Sequence, residues 1–462
     1  MAPRPSSVPD NQSDRDGIDA EKGSSQLQEH IQQSGNLAPE DAEFLAHFTD
    51  AQRKRVLGKV DWRLVPMLLI LYLISFIDRA NIGNAKIEGL LPSLGMSGTE
   101  YNIALAVFFI PYTLAEVPSN ALLNKFERPS TFMGIIVTIW GIVMMCTGFV
   151  HNFAGLCVSR IFLGLFEYIF ILEGLASAIA GIACFWLLID SPKHSSRWLD
   201  PDEIRYLELR QIAAGRVKPQ GTKKEKSFDM KIFVSVLCDL KIYLLIVAFW
   251  SNVTPNYGLK FTMPQVLKNM GYTSSNAQLM TVPAYCVGAL AAYGFSVISD
   301  RVNWRMPTIV VPQLCVLTAY AILFAKAADI KDNIPACYFA ICLACFGLYP
   351  IGPGVQAWNM SNLAGPAKRA MGIGWMTGVG NMGGITGSFI FLDREAPTYP
   401  TGFGSSLGFA AAGAVACLLL ELMLFRSNKK NEGLSEEEVR AQFSDEDLER
   451  LGDKSPLFKY TL

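Results

Sequence analysis

The sequence predicts an all-α membrane protein with two helical bundles and about ten membrane spans. Of the 462 residues, 51% are hydrophobic and only 18% are charged. Soluble proteins carry about 25% charged residues. The mean hydropathy is +0.27, and long apolar segments follow one another along most of the chain. The formal net charge of −1 gives no support to nucleic acid as a partner.

Ten segments are apolar and long enough for a membrane-spanning helix, which needs about 20 mostly apolar residues. A charged stretch separates the first four from the last six. The predicted spans are 64–83, 102–122, 131–150, 153–189, 241–261, 278–298, 307–326, 336–356, 371–391 and 405–425. Small residues in 371–391 favour close approach between helices.

These spans divide the chain into five regions. We expect a disordered cytosolic tail over 1–60, an amino-terminal bundle over 61–190, a cytosolic linker over 191–240, a six-helix bundle over 241–426 and a cytosolic tail over 427–462. Within the last region, residues 434–451 have the pattern of a short surface helix. Basic residues concentrate on the side of both termini and the linker, which predicts that this side is cytosolic.

Charged residues inside spans need a reason, because each costs roughly 2.5–3.5 kcal/mol near the bilayer centre. Arg160 and Glu167 are seven residues apart and would share one helix face. Arg160 could anchor an anionic substrate, or it could form an internal ion pair with Glu116, Asp78 or Glu167 that only joins helices. Asp78 and Glu116 could each carry a coupling proton. The alternative for Asp78 is a structural pair with Arg79 or a helix end.

The sequence contains no pattern typical of an enzyme. We find no nucleophile elbow, P-loop or glycine-rich dinucleotide turn. The histidines lack partners at metal spacing, and most of the ten cysteines lie in apolar segments. We therefore expect no enzymatic activity, no cofactor and no metal.

Several motifs resemble a known family. They include Asp78-Arg79-Ala-Asn81-Ile-Gly83-Asn84, Glu116-Val-Pro118-Ser119-Asn120, Arg160 followed by Glu167, and Pro255-Asn-Tyr257-Gly258. With these residues, the chain resembles the major facilitator superfamily, and within it the fungal anion:cation symporters of the allantoate and nicotinate permease type. The resemblance implies the major facilitator fold, whose norm is twelve spans.

The resemblance also implies a function and a set of site residues. Proteins of this type move small organic anions such as carboxylates, vitamins or ureides together with protons, and we expect a monomer. The implied substrate-binding residues are Arg160, Arg79, Asn84, Tyr257 and Asn381. The implied proton-coupling residues are Asp78, Glu116 and Glu167, and the implied gating residues are Asp300, Arg301 and Arg305.

One departure from the family lies at the Glu167–Tyr168 junction. The second half of span four and all of span five are absent there, which predicts about ten spans instead of twelve. The fused segment 153–189 has 37 residues and would be about 55 Å long as one helix. A loss of sequence in the gene model and a repurposed transporter are both compatible with this junction.

Two other functions remain open at this point. One is efflux of a secondary metabolite from a biosynthetic cluster. The other is a non-transporting sensor or an inert truncated product. We expect a multi-pass protein of the plasma membrane, with the vacuolar membrane as the alternative.

Overall fold

The computed structural model describes residues 39–123, 128–166, 198–213, 230–302, 304–433, 438–439, 442–443 and 452–462. This part of the chain contains helices and no strands. The helices are α1 (Pro39–His47), α2 (Asp50–Ile87), α3 (Leu90–Leu94), α4 (Gly98–Leu123), α5 (Pro129–Thr147), α6 (Phe153–Phe166), α7 (Pro201–Ala213), α8 (Met230–Leu237), α9 (Leu240–Asn269), α10 (Ser274–Val302), α11 (Pro307–Lys326), α12 (Ile334–Ser361), α13 (Pro366–Asn381), α14 (Gly383–Ile390) and α15 (Pro400–Asn431).

The chain forms two compact units. The smaller unit takes its described residues from Met1–Ile70, Phe126–Met133 and Ala183–Ser227, and the larger takes them from Leu71–Lys125, Gly134–Ile182 and Phe228–Leu462. Helix α2 contributes residues to both.

The smaller unit is held together by the packing of α1 and α7. The Phe48 and Tyr206 rings stack with centroids 4.5 Å apart, and Leu45 is fully buried beside them. Lys59 Nζ lies 2.6 Å from a carboxylate oxygen of Glu203. Residues 39–47 and 50–60 are therefore helical, although their polar composition predicted a disordered tail. Contacts with α7, which lies more than 140 residues away, account for the difference.

Local sequence explains where several helices begin. Ser97 and Glu100 form a capping box before α4, in which the Ser97 amide donates to Glu100 Oε2 at 2.7 Å and the Glu100 amide donates to Ser97 Oγ at 3.3 Å. Thr49 and Gln52 make the equivalent reciprocal pair at α2. Proline occupies the first turn of α11, α12, α13 and α15, where its missing N–H costs nothing.

Five of the described helices are long and apolar enough to cross a membrane: Ser130–Thr147, Ser274–Val302, Pro307–Asp329, Ile334–Ser361 and Pro400–Asn431. Their outward faces are apolar as well. On α10, Leu279, Val282, Leu290 and Tyr293 lie on one exposed face and are 51–74% exposed. Such a stripe is unfavourable in water and favourable against lipid. These helices support an integral, multi-pass membrane protein.

The predicted spans agree with the helices in position and differ in extent. The 371–391 segment, predicted as one span, consists of α13 and α14, which meet at Met382. Only the start of the 153–189 segment is described, as α6, and the Glu167–Tyr168 junction lies outside the described residues. Most of the predicted surface helix 434–451 lies outside them too.

Helix α9 is the centre of the larger unit and packs against α12, α13, α14 and α15. Several of its groups are hydrogen-bonded to neighbouring helices. The Gln313 amide of α11 donates to Ser251 Oγ at 2.8 Å and to the Ala410 carbonyl of α15 at 2.9 Å. Tyr320 donates to the Pro255 carbonyl at 3.0 Å. These bonds fix the register of α11 against α9 and α15.

We name the two ends of the larger unit after the predicted orientation. The outer end contains the connections 88–97, 270–273, 327–333 and 391–399. The inner end contains the connections 304–306 and 362–365 and the segment 452–462.

Candidate functional site

The outer end of the larger unit is closed by contacts between α2 and the second half of the chain. Lys86 forms an ion pair with Asp393. Glu88 Oε1 accepts a 2.9 Å hydrogen bond from Gln278, and the Ile87 carbonyl accepts one of 3.1 Å from Lys268. The last turn of α2 is therefore held by residues that follow it by more than 180 positions.

Arg160 is buried beneath this closure. It lies seven residues after the start of α6, a helix that packs against α4, and is only 2% exposed. It is within electrostatic reach of the Tyr101 hydroxyl, as is Asp393. The Lys86 ammonium lies 4.5 Å from the centroid of the Tyr101 ring. The structure thus gathers Lys86, Tyr101, Arg160 and Asp393, which we call the outer cluster.

An aromatic junction connects α4 of the first half with α9 and α14 of the second. The rings of Phe109 and Tyr257 meet edge to face at 4.7 Å, and Tyr257 stacks on Phe261 at 5.7 Å. Gly384 packs so closely that an added Cβ would lie 2.2 Å from the Phe109 ring. Tyr257, predicted to bind substrate, is therefore an inter-half contact in this structure.

Lys260 is a buried cation that the sequence reasoning did not single out. It is 5% exposed within α9, and its ammonium lies 6.0 Å from the Tyr257 ring centroid. Pro264 lacks the N–H that would bond the Lys260 carbonyl in a helix. An added Cβ on Gly83 of α2 would lie 3.3 Å from that carbonyl oxygen. Apart from Lys241 at its first position, Lys260 is the only charged residue of the predicted span 241–261, and this was the available signal.

Several predicted site residues lie outside the described side chains. Positions 78 and 79 belong to α2 and position 116 belongs to α4, but the side chains of Asp78, Arg79 and Glu116 are not among those described. Glu167 lies outside the described residues altogether. The pairing of Arg160 with Glu116, Asp78 or Glu167 therefore stays a prediction.

Asn84 and Asn381 lie in different surroundings, one in an open groove and the other buried. Asn84 lines an open groove of about 440 Å³ at the outer end, together with Glu88, Ser93 and Gln278. Asn381 is the last residue of α13 and is buried, at 8% exposed. Nothing in the described contacts joins these two predicted substrate-binding residues.

The predicted gating residues lie at the inner end. Arg305 Nη1 lies 2.9 Å from Asp300 Oδ1 and donates to Ser299 Oγ at 2.7 Å. Arg301 is exposed. The structure therefore brings two of the three together and leaves Arg301 at the surface.

On α12, Cys342 and Cys345 are separated by two residues. Both are free thiols. Within the described ranges, no group of three or more His, Cys, Asp or Glu side chains could hold a metal ion.

Two solved structures resemble the fold. A bacterial homolog of the human lysosomal transporter Spinster, in an inward-facing and occupied conformation, matches with a TM-score of 0.52 at 13% identity, over 77% of this chain and 96% of that one. A mutant of the nucleoside transporter NupG matches with a TM-score of 0.51 at 11% identity, over 77% and 99%. Both likenesses concern the fold alone.

Curated relatives are more similar to this chain in sequence than these two structures are. The MFS-type transporter cnsO of Penicillium expansum is 32% identical over 488 aligned positions, which cover 90% of this chain and 92% of the relative. The high-affinity nicotinic acid transporter of Saccharomyces cerevisiae is 27% identical, covering 88% of this chain and 84% of the relative. The uncharacterized transporter C1683.12 of Schizosaccharomyces pombe is 29% identical, covering 89% and 94%.

The Major Facilitator Superfamily model matches residues 68–169 and 166–388. The match breaks at the Glu167–Tyr168 junction, where the sequence predicts missing helices; their absence stays a prediction. The matched residues make up well over half of the chain and agree with the helical fold and with the transporter relatives. This chain belongs to the Major Facilitator Superfamily and is a multi-pass membrane transporter of that type.

Proposed function

We propose that this transporter is a proton-coupled symporter of a small organic anion that works by alternating access. The observation that carries the proposal is Arg160, a cation that is 2% exposed within α6. A buried arginine in a membrane bundle is costly and is commonly retained for a partner or a ligand. Its planar guanidinium can hold a carboxylate with two parallel hydrogen bonds.

Lys260 adds a second buried cation, contributed by the other half of the chain. Its neighbour Tyr257 contacts Phe109 across the junction between the halves. Cations from both halves would let an anion draw the halves together and would provide different contacts in each conformation. Such a difference is required for a ligand to shift a conformational equilibrium.

The yeast relative supports an anionic substrate. It is named for nicotinic acid, and a carboxylic acid is ionised at neutral pH. At 27% identity over most of both chains, this supports a class of substrate rather than one compound.

We assign proton coupling to Asp78 and Glu116, as the sequence predicts. Both positions lie in helices, α2 and α4. A carboxyl group in an apolar setting takes up protons more readily than in water, which is the property that coupling needs. Glu167 is the third predicted coupling residue.

The gating proposal concerns both ends of the larger unit. In this structure the outer end is closed by the Lys86–Asp393 pair. Alternating access requires these contacts to separate in another state, while Asp300 and Arg305 control the inner end. We propose that both termini are cytosolic, that the plasma membrane is the site of action, and that the monomer is the working form.

The deciding experiment is uptake of labelled nicotinate and other carboxylates by the purified 462-residue protein in liposomes, with and without an inward proton gradient. Uptake should depend on the gradient. Arg160→Ala should lower uptake by about 10- to 100-fold, since a hydrogen bond to a charged group contributes about 1.5–3 kcal/mol. Arg160→Lys should recover part of it. Arg426→Ala, at an exposed arginine of α15, is the control.

Uptake that neither depends on the proton gradient nor falls in Arg160→Ala would exclude the symport proposal. Absence of transport in every condition would favour an inert product, for which the broken match at residues 166–169 is the support. In that case the transcript across the Glu167–Tyr168 junction decides whether helices are missing from the sequence. Accumulation of substrate only in the opposite direction would favour an exporter.

A further inference from the structure

The segment 452–462 lies against the inner end of the larger unit, and the proposed function makes no use of it. We propose that this segment, which we call the strap, docks on a preformed surface of the carboxy-terminal bundle, fastens its helices and the gating connection together, and is required for transport. The surface is built from the first turns of α9 and α13, the last turns of α12 and α15, and the 304–306 connection.

Asp453 is the first point of attachment. Its side chain is fully buried between two lysines: Oδ2 lies 2.6 Å from Lys241 Nζ and Oδ1 lies 2.7 Å from Lys368 Nζ. Lys241 belongs to the first turn of α9 and Lys368 to that of α13, so one carboxylate joins two helices. Asp239 lies 3.2 Å from Lys368 and balances the remaining charge. Removal of one partner from such a buried group is strongly destabilising.

Tyr460 is the second point of attachment, and its backbone both donates a hydrogen bond to α15 and accepts one from it. Its amide donates to Asn428 Oδ1 at 2.9 Å, and Asn428 Nδ2 donates to its carbonyl at 2.8 Å. Its hydroxyl donates to the Asp453 carbonyl, and the Lys241 ammonium lies 4.5 Å from its ring centroid. The asparagine amide thus pairs with the strap backbone as a neighbouring strand would.

Thr461 makes the same pair of backbone hydrogen bonds with an asparagine at the end of α12. Its amide donates to Asn362 Oδ1 at 2.8 Å, and its carbonyl accepts from Asn362 Nδ2 at 3.0 Å and from Trp358 Nε1 at 2.9 Å. Two asparagines, one on α15 and one directly after α12, therefore bond to two successive backbone units of the strap. Buried or half-buried amides at matching spacing indicate a specific docking surface rather than a loosely collapsed tail.

Leu462 connects the strap to the gating residues. Its carbonyl accepts a 2.5 Å hydrogen bond from the Arg305 amide, and the Arg305 side chain holds Asp300. When the strap leaves its surface, the 304–306 connection loses this support. We therefore expect the geometry of the Asp300–Arg305 pair to depend on strap docking.

The first test uses the unmodified protein in detergent micelles. Hydrogen–deuterium exchange followed by mass spectrometry should find the peptide ending at Leu462 protected at the Tyr460 and Thr461 amides. Asp453→Asn and Asn362→Ala should each speed exchange there at least about tenfold, and should also speed it in the first turns of α9 and α13. Lys454→Gln, at an exposed lysine of the strap, is the matched control and should change nothing.

Free exchange of the strap amides in the unmodified protein would overturn the docking proposal. Unchanged exchange in α9 and α13 after Asp453→Asn would overturn the fastening role. Liposome uptake tests the requirement for transport, and this part alone depends on the proposed function. Uptake that stays normal in Asn362→Ala while the strap is released would overturn that part. Hydrogen–deuterium exchange needs no substrate, so failure of the strap proposal is distinguishable from failure of the symport proposal.

Discussion

Removal of the Lys86–Asp393 ion pair should open the outer end of the transporter. Asp393→Asn keeps the size of the side chain and removes its charge. The side chains of Lys86 and Asp393 are 11% and 31% exposed, so the pair lies between a surface pair and a buried one. We therefore expect it to contribute about 1–2 kcal/mol to the closed state, and its loss should raise the open population about 5- to 30-fold.

The assay is reaction of a polar maleimide with a cysteine placed at Ile87. This residue is 6% exposed in the closed structure, and its carbonyl is bonded to Lys268 and Ser274. The labelling rate of the peptide containing residue 87, measured by mass spectrometry in purified protein, reports how often the outer end opens. Peptide-level detection separates it from the native cysteines.

Charge reversal provides the control and the refutation. Lys86→Asp alone and Asp393→Lys alone should speed labelling more than Asp393→Asn does, because each leaves two like charges together. The double exchange of Lys86→Asp with Asp393→Lys should restore slow labelling. Equal labelling in all variants, or no recovery in the double exchange, would refute a closing role for this pair.

Three further results are expected. Gly83→Ala should lower the free energy of unfolding by about 1–3 kcal/mol, because the new Cβ would lie 2.9 Å from the Phe261 carbonyl oxygen. Gly58→Ala is the control and should not lower it, since an added Cβ there has nothing within 4 Å. Equal unfolding temperatures in the two variants would contradict the prediction. Burial alone would raise the pKa of Asp453, but the lysines beside it outweigh burial and hold that pKa below its usual range. The stabilisation that Asp453 provides is therefore present above pH ~4 and is lost as pH falls through the lowered pKa. Unfolding temperatures measured from pH 3 to 7 should depend less on acid in Asp453→Asn than in the unmodified protein. Glu203→Gln should speed amide exchange in α7 by removing the carboxylate that binds Lys59, and unchanged exchange would exclude a role for that pair.

Much of the fold was predictable from apolar length alone. The predicted span 307–326 coincides with α11, and 278–298 lies within α10. Hydropathy marks only the part of a helix that lies in lipid, whereas backbone hydrogen bonds continue into polar sequence. For that reason α2 begins at Asp50, although its predicted span begins at 64. The break at Met382 is followed by Gly383 and Gly384, and an added Cβ on Gly383 would lie 3.0 Å from Thr254 Oγ1 of α9, a close approach that apolar length does not predict.

The candidate site was predictable in part. Arg160 stood out because a charge in an apolar segment is rare, and the structure buries it. Lys260 carried the same signal but lies near the end of a long apolar run, where a lysine is commonly interfacial. Asp393 and Asp453 lie in polar connections, and their partners are distant in sequence, so no local pattern could identify either residue as an ion-pair partner.

The exposed stripe of α10 has a practical consequence. Cys286 is an exposed, free thiol on that face, one turn from Val282 and from Leu290. A reagent that partitions into lipid should therefore reach it, while a polar reagent of similar reactivity should not. Cys286 can therefore serve as a native probe of the lipid around α10. The ratio of the two labelling rates would report whether a given detergent or lipid mixture covers α10 as a membrane does.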